Sequence, residues 1–90
     1  MPVLRVGSRG PVVTALQEIL TRNAPGRWET APEAVTGEFD QSTSAAVLAF
    51  QRWNAISIDG QVGDQTWTAT VGDARVSLED TVGLQHAADA

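Results

Sequence analysis

The segment Ile58-Asp59-Gly60-Gln61-Val62-Gly63-Asp64-Gln65-Thr66-Trp67 has an altered copy 23 positions earlier, Val35-Thr36-Gly37-Glu38-Phe39-Asp40-Gln41-Ser42-Thr43. In both, an apolar residue leads into a glycine, a second apolar residue follows two positions after it, and a threonine lies six positions after it. That order fits a chain that reverses sharply, plugs a hydrophobe into a core and starts a helix. A second echo, Val13-Thr14-Ala15-Leu16-Gln17 against Val47-Leu48-Ala49-Phe50-Gln51, falls within two helix-like stretches. The chain is therefore expected to reuse one turn-then-helix unit.

Hydrophobic spacing predicts an all-α fold, a compact three-helix bundle with helices at about 9–23, 40–54 and 64–71. In the first, Val12, Val13, Leu16, Ile19 and Leu20 recur at three-and-four spacing, with Thr14, Gln17, Glu18 and Thr21 facing outward. Ser8 is its expected N-cap and Pro11 sits where proline is tolerated, while Val3, Leu4 and Val6 are expected to cover one end of the core. Asp40 is expected to cap the second helix, whose stripe is Thr43, Ala46, Val47, Phe50 and Trp53. The third turns Trp67, Thr70 and Val71 inward and stops at Gly72. Between the first two helices, residues 23–36 hold two prolines, Gly26 and Trp28 and read as a long loop, with a short helical turn at Pro32-Glu33-Ala34. The domain is placed at residues 1–72. Residues 73–90 are either a loosely docked helix, capped at Ser77-Leu78-Glu79-Asp80 and carrying Leu78, Val82 and Gln85, or a frayed tail, since Gly83 weakens a helix.

Composition excludes several functions. A chain of 90 residues is one domain that buries only roughly 60 to 65% of its unfolded surface. With no cysteine, apolar packing must supply the stability. The formal charge of -5 sets eleven acids against six arginines and no lysine, which disfavours phosphate-backbone binding and hence nucleic acid as a partner. No apolar run approaches the roughly 20 residues that span a bilayer, so no membrane insertion is expected. The N-terminus also lacks the order of a signal peptide, so any export signal lies elsewhere.

Three motifs occur in order: Leu4-Arg5-Val6-Gly7-Ser8-Arg9-Gly10-Pro11-Val12-Val13-Thr14-Ala15-Leu16-Gln17, then Ala49-Phe50-Gln51, then Asp59-Gly60-Gln61-Val62-Gly63-Asp64-Gln65-Thr66-Trp67. Together they resemble the peptidoglycan-binding domain of type 1 over residues 4 to about 72. The resemblance implies a three-helix module attached to bacterial or phage cell-wall hydrolases as a noncatalytic targeting unit acting at the cell wall. The chain departs from the pattern in three places. Thr36 stands where the second turn has Asp59, Asp40 stands where it has Gly63, and the loop 23–36 is longer than the family's usual link. The drift between turns implies shared architecture without a shared duty.

No catalytic set is legible. His86 is the only histidine, so neither a histidine metal site nor a nucleophile-histidine pair has a second anchor. Glu29 and Glu33 have no apolar pocket to split their acidities, and Gly60-Gln61-Val62-Gly63 lacks the lysine of a phosphate cradle. No cofactor or metal is expected. The expected function is attachment to peptidoglycan through glycan or stem peptide. Trp28, Trp53 and Trp67 are the aromatic candidates, Arg27 and Arg52 the partners for a stem-peptide carboxylate, and Asp59 the polar group of the turn. Trp53 and Trp67 fall on core-facing stripes, whereas Trp28 either pins its loop or stands exposed. The alternative is a protein-interaction module that keeps the fold, has lost wall binding, and docks a partner through Trp28 and the tail.

Overall fold

The computed structural model describes residues 1–72 and 75–89, with side chains for residues 1–72 and 75–84. The chain is mostly helical, with α1 at Pro11–Arg22, α2 at Gln41–Trp53, α3 at Asp64–Thr68 and α4 at Leu78–Asp89. Strands β1, Thr70–Val71, and β2, Val76–Ser77, pair antiparallel with Thr70 opposite Ser77 and Val71 opposite Val76. Among the described residues no helix is long and apolar enough to cross a membrane.

The third long helix therefore comes from the C-terminal segment, while α3 is a single short turn of helix instead of the expected 64–71. It stops because Ala69 turns extended (φ -68, ψ 151) and the β-branched pair Thr70 and Val71 goes on into β1. Gly72 thus follows a strand and does not end a helix. Its lack of a side chain makes room for the Arg27 guanidinium, which a Cβ would meet at 3.3 to 3.4 Å. Ahead of α4, the Ser77 hydroxyl accepts the Asp80 N–H at 3.1 Å, the capping expected from sequence. Leu78 and Val82 are completely enclosed, with α4 packed against α1 and α3. The expected inward position of Gln85 lies outside the described side chains, as does His86.

The N-terminal ends of α1 and α2 are made differently. Gly10 occupies the N-cap of α1 without a side-chain bond and Pro11 follows, a position where no amide hydrogen is needed. Ser8 is not the cap. Its hydroxyl accepts the Arg5 N–H, and its carbonyl accepts the Phe39 N–H, which ties the lead to the first turn. Asp40 does cap α2, accepting the Thr43 N–H at 2.9 Å and the hydroxyls of Ser42 and Thr43. The Thr43 amide first, then those hydroxyls, holds its carboxyl below the ordinary aspartate value. Of the lead residues, Leu4 alone enters the core, by a pair of hydrogen bonds with Val62; Val3 and Val6 are exposed.

The sequence repeat becomes a pair of like joints centred on Gln17 and Gln51, both fully buried. The Gln51 carbonyl accepts the amides of Asp59 and Gly60, each at 3.0 Å. Its amide nitrogen donates to the Gln61 carbonyl (2.8 Å), the Thr66 hydroxyl (3.0 Å) and the Asp59 carboxylate (2.9 Å). Gln17 repeats this on the first turn, accepting from Thr36 and Gly37 and donating to Glu38, Thr43 and, at a longer 3.4 Å, the Thr36 hydroxyl. A glutamine side chain thus satisfies backbone groups that a buried turn leaves without ladder partners. Gln17 was expected to face outward, because a helical wheel assigns an uncharged polar residue to solvent. Its partners come from a turn about 20 residues along the chain, which the wheel does not see.

Each joint also needs its glycine. Gly37 (φ 80) and Gly60 (φ 76) take backbone angles that L residues rarely adopt, and a Cβ would lie 2.9 Å from the Thr14 hydroxyl or 2.7 Å from that of Ser44. Phe39 and Val62, two positions beyond, are buried as the repeat predicted. Asp40 and Gly63 then occupy equivalent N-caps with nearly the same backbone, φ -104 and ψ -172 against φ -103 and ψ -169. Thr36 and Asp59 play the same structural part, in keeping with the shared architecture expected of the two turns: each accepts from its glutamine and from the amide two residues on.

Candidate functional site

The loop 23–36 is long but tied down at both ends. Asn23 and Arg27 bond back onto the end of α1, and the Glu33 amide donates to the Ser42 hydroxyl of α2. Pro32 is buried, and no helical turn forms at Pro32-Glu33-Ala34. Trp28 is the anchor. It is enclosed, its indole N–H donates to the Leu20 carbonyl at 3.0 Å, and its ring meets Phe50 edge-on with centroids 5.0 Å apart. The bond satisfies one of the carbonyls that the end of α1 leaves without an intrahelical partner. The sequence left Trp28 open between anchoring and exposure, and the structure makes it an anchor.

Burying Trp28 sets the position of Trp53. This last residue of α2 was expected in the core, yet it is 40% exposed, its ring edge-on to Trp28 at 5.5 Å. It lies where the core runs out, with the anchor indole filling the space inward of it. Arg27, Trp28 and Glu29 from the loop and Ala49, Arg52 and Trp53 from α2 line a shallow cavity of about 150 Å³. Arg52 forms an ion pair with Glu29 across its rim, and both side chains are more than half exposed. Arg27 lies on the inner side, partly buried, with its guanidinium over Gly72 and donating to the Asn23 carbonyl at 3.3 Å. Two guanidinium groups and one carboxylate thus surround the cavity, on a chain whose formal charge is -5.

Four of the six residues singled out from sequence, Arg27, Trp28, Arg52 and Trp53, thus meet in one groove. The other two lie elsewhere. Trp67 is enclosed, and its N–H donates to the Pro2 carbonyl at 2.7 Å, a structural bond to the chain's start. Asp59 lines a separate depression of about 250 Å³ with Arg5, Val6, Ser44, Gly60 and Gln61. The Gln61 amide first, then the Gln51 side chain, lowers its carboxyl below the ordinary aspartate value. Sequence reasoning missed Glu29 as a member of the groove, having weighed it only as a carboxylate paired with Glu33. The signal available was its place beside Arg27 and Trp28.

A small helical body with a shallow groove, one exposed indole and paired charges has the make-up of a binding module. Residues 9–69 match the family described as Putative peptidoglycan binding domain, and the chain belongs to that family. Comparison with curated proteins and with solved structures gave no match.

Proposed function

We propose that this domain attaches noncatalytically to bacterial peptidoglycan through the Arg27–Trp53 groove, and so directs an associated hydrolase or assembly to the wall. The observation that carries the reading is the part-exposed Trp53 indole beside two arginines, in a member of a peptidoglycan-binding family. An indole face stacks on the apolar face of a sugar ring or on peptide methyl groups, and a guanidinium pairs with a carboxylate; wall polymer carries all three. Contact with one repeat is small, so affinity per site is low, and repeated ligand along the wall compensates when several modules share an assembly.

Co-sedimentation with purified sacculi tests this. The domain should pellet at low salt, and Trp53→Ala should shift it to the supernatant while its melting curve stays cooperative. A wild-type domain left wholly in the supernatant at low and moderate salt would refute wall binding.

A further inference from the structure

The groove carries a carboxylate as well as its arginines, and that carboxylate is placed to act on a ligand. Resting on the wall-binding reading, we infer that the groove selects a stem-peptide end carrying an ammonium and a carboxylate on the same carbon. Glu29 takes the ammonium, and Arg52 takes the carboxylate.

Three observations support this. Arg52 and Glu29 form an ion pair, so an anion and a cation already stand side by side at the rim of the groove. Both side chains are largely exposed, at 60% and 66%, and an exposed pair of this kind holds together so weakly that a ligand can open it at little cost. Opened, it offers one anion and one cation beside the Trp53 ring, which covers the aliphatic stem leading to the charged end. A neutral sugar uses none of these charges. A ligand bearing only an anion leaves Glu29 as a repulsive neighbour, and one bearing only an ammonium leaves the Arg52 guanidinium as one.

The chemical class is a stem peptide of the diamino-diacid type, whose far end is an amino-acid head group. A lysine-type stem supplies the ammonium without the neighbouring carboxylate. The experiment measures binding of the 90-residue chain to four soluble stem peptides: the diamino-diacid form, the same peptide amidated at the far carboxyl, the same acetylated at the far amine, and the lysine form. Sacculus co-sedimentation is run alongside.

The unmodified diamino-diacid peptide should bind best, with each of the other three weaker by roughly three- to tenfold. Glu29→Gln should remove the penalty for acetylation and keep that for amidation, and Arg52→Gln should reduce the penalty for amidation. Both positions are exposed, and unchanged melting curves for the two variants would confirm that the fold is kept. Sacculus binding with equal affinity for all four peptides, or uniformly tighter binding by Glu29→Gln, would overturn this inference and leave the wall reading standing. Failure to bind sacculi at all would overturn both.

Discussion

Gln51 and Gln17 are each in contact with five polar partners without any exposure to water, which makes them the polar side chains on which the fold depends most directly. Replacing either by alanine leaves two turn amides without partners and takes one bond from a buried hydroxyl, and should cost about 2 to 5 kcal/mol by denaturant unfolding. Glutamate is no substitute, since it loses both donors and faces carbonyl and hydroxyl oxygens. Gly60→Ala should cost about 1 to 3 kcal/mol, because it adds strain at φ 76 and forces the Ser44 hydroxyl aside. Asp40 and Asp59 give the joints a pH dependence. Both carboxyls have lowered native values, so their stabilisation is fully present above about pH 5 and is lost as pH falls through the native values. Thermal melts from pH 6 to pH 2 should fall accordingly, and less steeply in Asp40→Asn.

At the scale of elements, α4 and the loop 23–36 close the core from two sides. Leu78→Ala should cost about 2 to 5 kcal/mol, as should removal of a buried aliphatic group elsewhere in the core. If melting were unchanged by Leu78→Ala, residues 1–72 would be self-sufficient, as the sequence-based domain limits assume. Trp28→Ala should cost about 3 to 5 kcal/mol and also disorder the groove, so Trp53→Ala is the cleaner probe of binding. The two main helices and their turns were legible in the sequence because periodicity and glycine placement are local signals. The short α3 was not, since Thr70 and Val71 fit a helical stripe until a second strand is there to pair with them. The exchange of roles between Trp28 and Trp53 was hidden for a like reason: a polar loop can be folded over the end of a helix, and only the fold decides which indole then lies inside. The groove itself was legible residue by residue in Arg27, Arg52 and Trp53, but Glu29 acquires meaning only once the loop sets it beside α2.

Across the whole molecule, the formal charge of -5 and the arginines of the groove act in opposite directions on an anionic ligand. Long-range repulsion is screened within about 10 Å at 0.1 M salt, whereas contact pairing inside the groove is less affected. Sacculus binding should therefore change only modestly between low and moderate salt, and fall when Arg27 and Arg52 are both replaced by glutamine; a co-sedimentation salt series checks both. A domain held on the wall as proposed is also subject to tension. The second turn relies on a titratable aspartate where the first relies on threonine. Acid loosens both fastenings, the second inside its glutamine network and the first at the Asp40 cap, and single-molecule pulling at two pH values should show a drop in rupture force on acidification that Asp40→Asn and Asp59→Asn each make smaller.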